Sequence, residues 1–158
     1  MFKESDLIKY KKTRSRYMQG HFSPSNPKKY MGDQRHIVYR SSWELKFMIW
    51  CDKNPAVINW SSEENIIPYL SPVDNRYHRY FVDFRICVQT KEGKKTYLIE
   101  IKPEKQTKAP EKKKKVTKTF VKEVVTFAVN DAKWDAARAY CKLKGWDFMI
   151  LNEHDLQI

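Results

Sequence analysis

Apolar and polar residues along this chain fall into stretches of two different periods. Trp43, Phe47 and Trp50 recur at helical spacing with Met48 and Ile49 beside them, which predicts a helix opened by Ser41-Ser42-Trp43-Glu44 and ended by Asn54-Pro55. Val57-Ile58-Asn59-Trp60 and Ile66-Ile67-Pro68-Tyr69 read as short strands, with Pro68 arguing against a central position. Tyr80, Val82, Phe84, Ile86 and Val88 then alternate with Phe81, Asp83, Arg85 and Cys87, the period of a strand with one strongly apolar face. Lys91-Glu92-Gly93-Lys94 is hairpin chemistry and leads into a strand over 96–102. There Tyr97, Ile99 and Ile101 fill one face, and Leu98, Glu100 and Lys102 share the other. Residues 103–115 read as a Lys- and Pro-rich loop. The valines and threonines of 116–127 weaken a helical reading, and Asn130-Asp131 predicts the cap of a helix running to Leu143, with Gly145 as its C-terminal stop. Residues 146–151 read as a last strand.

The size of 158 residues suits one compact domain. Residues 1–35 mix Lys, Arg, Ser, Pro, Asn and Tyr without a sustained period and read as an extended basic N-terminal arm, with the domain proper over 36–158. The formal net charge is +12, and it is segmental. Residues 1–35 carry +6, residues 91–122 carry +8, and the remainder is slightly negative. Basic surfaces of this kind meet a polyanion, and DNA is the expected partner. No apolar run approaches the roughly 20 residues of a membrane span, and Met1-Phe2-Lys3-Glu4-Ser5-Asp6 has no signal-peptide core. Cys51, Cys87 and Cys141 are far apart, and with the scattered histidines they offer neither a disulfide framework nor zinc spacing.

Candidate chemistry sits on the two strands. The hairpin brings Asp83 beside Glu100 where their polar faces coincide, and Lys102 shares the face of Glu100. Two close carboxylates repel unless a cation compensates them. Mg²⁺ takes a few carboxylate oxygens together with waters and phosphate oxygens, lowers the pKa of a water and neutralises charge on a phosphate. Asp83 and Glu100 are therefore candidate metal ligands and catalytic acids, with the backbone carbonyl of Ile101 as an extra ligand. Lys102 is the candidate for positioning water or stabilising charge. The alternative is a same-face ion pair on an ordinary strand, although acids gain little in one so apolar. Glu44 has two readings: the far member of a capping box with Ser41, which spacing favours, or a third acid. Lys112, Lys113, Lys114 and Lys115, with Arg76, Arg79, Arg85 and Arg40, are candidate phosphate contacts.

Glu44 on a first helix, then Val82-Asp83, then Glu100-Ile101-Lys102 resembles the PD-(D/E)XK nuclease superfamily. Flanking segments make the likeness more specific. Tyr39-Arg40-Ser41-Ser42-Trp43-Glu44, Asp52-Lys53-Asn54-Pro55, Ile67-Pro68-Tyr69, Arg79-Tyr80-Phe81-Val82-Asp83-Phe84 and Ile99-Glu100-Ile101-Lys102-Pro103 resemble the head-completion nucleases of large myophages and, more loosely, the endonuclease subunit of Tn7-like transposases. The resemblance implies an α/β fold, a restriction-endonuclease-like mixed sheet flanked by helices. It implies Mg²⁺-dependent DNA cleavage, with Mn²⁺ as a substitute, and assembly in the host cytoplasm or association with the virion. Phage head or portal and neck proteins would be partners. Glu44, as the helical glutamate of the motif, gains a metal or catalytic role. Val82 stands where the motif's name has proline. A non-catalytic DNA-gripping head–tail connector and a transposon-end or junction endonuclease are the competing functions. Cutting both strands of a duplex takes two sites or two visits, so a homodimer is one arrangement.

Overall fold

The computed structural model describes residues 19–157, so any reading of residues 1–18 lies outside the described part. In chain order the regular elements are β1 (Gly20–His21), β2 (Val38–Tyr39), α1 (Ser42–Lys53), β3 (Val57–Ser62), β4 (Ile66–Leu70), β5 (Tyr77–Phe81), β6 (Phe84–Thr90), β7 (Gly93–Ile101), α2 (Lys118–Lys144) and β8 (Asp147–Leu151), with short 3-10 turns between some of them. The result is the expected mixed α/β architecture. A four-stranded sheet of order β3-β6-β7-β8 is antiparallel except for the parallel β7–β8 pair, whose crossover contains α2. Two small antiparallel pairs, β1–β2 and β4–β5, flank it.

Alternation along β7 sends neighbouring residues to different cores. Ile99 joins Phe47, Met48 and Cys51 of α1, together with Trp60, Phe84 and Ile86. Leu98 joins Trp134, Ala137 and Cys141 of α2, together with Ile67, Tyr69, Tyr80 and Val82. The sheet thus lies between the two helices, and the acid-bearing face of β7 is the α2 face.

Two local readings change. The run Tyr80 to Val88 is not one strand: β5 stops at Phe81 and β6 starts at Phe84. Val82 packs on the α2 side while Phe84 packs on the α1 side, so the alternating burial conceals a switch of layer at Val82–Asp83. The helix expected to start at Asn130-Asp131 starts instead at Lys118, capped by the Thr117 hydroxyl, which accepts the Phe120 N–H at 3.1 Å. Gly145 does end it, in the left-handed conformation at φ 71°.

Residues 19–35, read as part of an extended arm, are packed onto the body. Tyr30 is buried, its ring 4.8 Å from that of Trp60. The buried Asp52 carboxylate accepts the N–H groups of Ser25 and Asn26 at 2.8 and 2.9 Å. Lys29 reaches the carbonyls of Asp52 and Asn54 at the end of α1 at 3.1 and 2.8 Å, where cations suit the helix dipole. A basic composition hid these latches, because nothing in it signals which lysine caps a helix.

Candidate active site

The layer switch creates the site. In the β6–β7 ladder Phe84 pairs with Ile99, so one further step places Asp83 opposite Glu100. Asp83 sits in the gap between β5 and β6, and its Oδ2 accepts the Ile101 N–H at 2.8 Å. Its own carbonyl accepts the N–H of Glu63, just beyond β3, at 3.1 Å. Backbone from two neighbouring strands therefore fixes this residue.

Glu100 is buried at 6% exposure. The Tyr80 hydroxyl donates to its Oε2 at 2.5 Å, and the Lys102 ammonium lies 3.6 Å from its Oε1. Lys102 is itself anchored by its N–H to the Leu151 carbonyl of β8 at 3.0 Å. The structure thus brings Asp83, Glu100 and Lys102 together at the end of β7, as their spacing anticipates. Tyr80 was legible only as an aromatic; a buried phenol needs a partner, and that need is the signal that could have pointed to Glu100.

Glu44 forms only half of the capping box. Its N–H donates to the Ser41 hydroxyl at 3.1 Å, which is a helix cap. Its carboxylate, however, turns to the Arg40 N–H at 2.7 Å rather than to Ser41, leaving it close enough to Glu63 and Glu100 to feel both. Burial, followed by those two acids, raises the Glu44 pKa above the usual carboxylate range. Asp83 is pushed well up by burial first and by Glu100 next, with Glu44 adding to it and Lys102 opposing. The Tyr80 phenol is likewise driven up by burial and by Glu100.

This chemistry fits a hard divalent cation. Asp83, Glu100 and Glu44 offer oxygen donors, and a dication would compensate the mutual repulsion that adds to burial in raising the pKa values of Asp83 and Glu44.

A different trio, Glu104, Glu153 and His154, has potential ligand atoms within 4.8 Å of one another. Its charges are already answered. His154 and Lys108 lie 3.1 and 3.4 Å from Glu104, and Glu153 accepts the Glu104 N–H at 2.9 Å. Hydrogen bonds to these partners lower the pKa of both glutamates. Its glutamates are already engaged by the Lys108 ammonium, the His154 ring and a backbone N–H, and the sheet site is the better metal candidate.

The basic candidates are dispersed. Arg76 and Arg79 are exposed in the β4–β5 hairpin, with the Arg79 guanidinium 5.6 Å from the Phe81 ring centroid. Lys112, Lys113, Lys114 and Lys115 are exposed ahead of α2. Arg85 is half-buried within β6, between Ser61 and Leu98 of the neighbouring strands. Arg40 is engaged in a fork with Glu63, a residue the sequence reading passed over. Among the described residues no helix is long and apolar enough to cross a membrane.

A mixed sheet flanked by two helices, with two acids and a lysine at a strand end, defines a nuclease of the restriction-endonuclease-like class. Residues 54–153 match the family model described as TnsA-like endonuclease N terminal, a span that contains Asp83, Glu100 and Lys102 and leaves Glu44 outside. The chain belongs to the TnsA-like endonuclease family. It is also 41% identical over 142 residues to the head completion nuclease of Enterobacteria phage T4, covering 87% of this chain and 93% of that relative. No solved structure matches the chain.

Proposed function

We propose that this chain is a Mg²⁺-dependent DNA nuclease of phage head completion, hydrolysing phosphodiesters of packaged DNA so that filled heads can join tails. The observation that carries the reading is the meeting of Asp83, Glu100 and Lys102 across the β6–β7 ladder. The relative's name supplies the setting of head completion. Phage head or portal and neck proteins then become the expected partners, in the host cytoplasm during assembly, and a homodimer would put two sites on one duplex.

Asp83 and Glu100 would hold Mg²⁺, with the Ile101 carbonyl and Glu44 as further ligands. Mg²⁺ bound there supplies charge neutralisation on the phosphate and acidifies a water. The chain's own groups do the rest. The Ile101 N–H orients the Asp83 carboxylate, and the Tyr80 hydroxyl occupies one oxygen of Glu100, leaving the other toward Lys102. Lys102 places a positive charge where the phosphate becomes more negative as water adds to phosphorus and a P–O bond breaks. The exposed lysines of 112–115 and Arg76 and Arg79 grip the backbone without reading sequence.

Plasmid and linear DNA incubated with Mg²⁺ test the reading. Cleavage by the native protein, its arrest by EDTA, and its loss in Asp83→Ala and Lys102→Ala with DNA binding retained are the expected results. Equal binding by all three proteins with no cleavage under any divalent metal would leave a connector that grips DNA without cutting it.

A further inference from the structure

We propose that the Arg40–Glu63 ion pair is a positioning clasp that sets Glu44 against Asp83, and that Arg40 is not a DNA contact. The inference rests on the nuclease reading of the acids.

Arg40 stands just before the N-cap of α1, and Glu63 just after β3. The guanidinium forks onto the carboxylate with two bonds, Nε to Oε1 at 3.0 Å and Nη2 to Oε2 at 2.9 Å. Each partner also uses its backbone N–H on one candidate acid. Arg40 N–H holds the Glu44 carboxylate at 2.7 Å, and Glu63 N–H holds the Asp83 carbonyl at 3.1 Å. A continuous path of short bonds therefore runs from Glu44 through the fork to Asp83.

Two features set this pair apart from an ordinary surface bridge. A bidentate fork fixes distance and plane together, which a lysine cannot do. Glu63 also sits in the left-handed backbone region at φ 54°, a conformation a glutamate seldom adopts and one that persists where surroundings impose it. A half-exposed ion pair adds little to stability, so its plain use is geometric. A phosphate on Arg40 would have to displace a carboxylate already seated in its donors, and Glu63 would repel that phosphate.

The test titrates Mn²⁺ into the DNA-free protein by calorimetry, beside duplex binding in Ca²⁺, for native protein, Arg40→Lys, Glu63→Gln and the double variant. The clasp predicts that each single variant weakens Mn²⁺ binding about tenfold or more, in the range seen when partners of metal ligands are removed. The double variant should be no worse than either single one, since both break one shared interaction. Duplex affinity should stay within about twofold in all of them. Arg40→Lys that keeps Mn²⁺ affinity and loses DNA affinity overturns the clasp in favour of a phosphate contact. Native and variant proteins that bind Mn²⁺ equally overturn the clasp alone. Native protein that binds no Mn²⁺ overturns the metal reading of the acids, and the clasp with it.

Discussion

Two clusters of oxygen- and nitrogen-donor side chains in this molecule both offer metal ligands, and they differ in how their charges are compensated. Asp83 and Glu100 lie where β6 and β7 meet, with Glu44 in the first turn of α1; Glu104, Glu153 and His154 lie in the turns that follow β7 and β8. The ligand atoms of Glu104, Glu153 and His154 lie within 4.8 Å of one another. Yet hydrogen bonds to His154, Lys108 and backbone N–H groups lower the pKa values of its acids, while burial and mutual repulsion raise those of Asp83 and Glu44. A metal site is better marked by charge left uncompensated than by carboxylates close together.

Substitution at the strand end should separate the two groups most widely. Asp83→Ala or Glu100→Ala should lower the cleavage rate by about a thousandfold or more, whereas Glu104→Ala and Glu153→Ala should stay within about threefold. Single-turnover rates on linear DNA measure both, and a surface variant as inactive as Asp83→Ala would reverse the ranking. Lys102→Ala should follow at about a hundredfold, read as a fall in rate with DNA affinity unchanged in Ca²⁺. Tyr80→Phe frees one oxygen of Glu100 and should reduce cleavage about tenfold, with a matching rise in the Mg²⁺ concentration needed for half-maximal rate.

The smallest effects are on stability, and they carry opposite signs. The Asp83 pKa is raised in the folded protein, so the folded state holds more protons, and the metal-free protein should lose stability as pH climbs from about 4 through that raised value. Asp83→Asn removes that loss and should stabilise the metal-free protein by about 1 kcal/mol near neutrality, while abolishing cleavage. Glu104 titrates below its ordinary value, so its contribution is present above that value and fades as pH falls through the lowered one. Glu104→Gln should therefore flatten only the acid limb. Thermal melts of the three proteins across pH without metal compare the slopes directly.

The strand-end acids were legible because a period of two assigns faces without knowing the fold: Leu98 and Glu100 share a face, and they do so in the structure. What the alternation could not say is which layer each face meets. Val82 and Phe84 read as one continuous apolar face, yet they serve different cores, and the break between them is what frees Asp83 from the ladder. The first half of α2 was obscured by β-branched residues, and Asn130-Asp131 imitates a cap in mid-helix. The long-range partners were illegible for a plainer reason. Tyr80 with Glu100, Asp52 with Ser25 and Asn26, and Arg40 with Glu63 join residues 20 to 27 apart, and no local pattern encodes such pairings.

The most direct measurement is the Mg²⁺ dependence of plasmid cleavage by native protein, Asp83→Ala and Glu104→Ala side by side. Cleavage that saturates with Mg²⁺ in the native and Glu104→Ala proteins, and vanishes in Asp83→Ala at every concentration, is the expected result. Cleavage that survives in Asp83→Ala but is lost in Glu104→Ala would place the chemistry at the surface turn and contradict the assignment to the strand end.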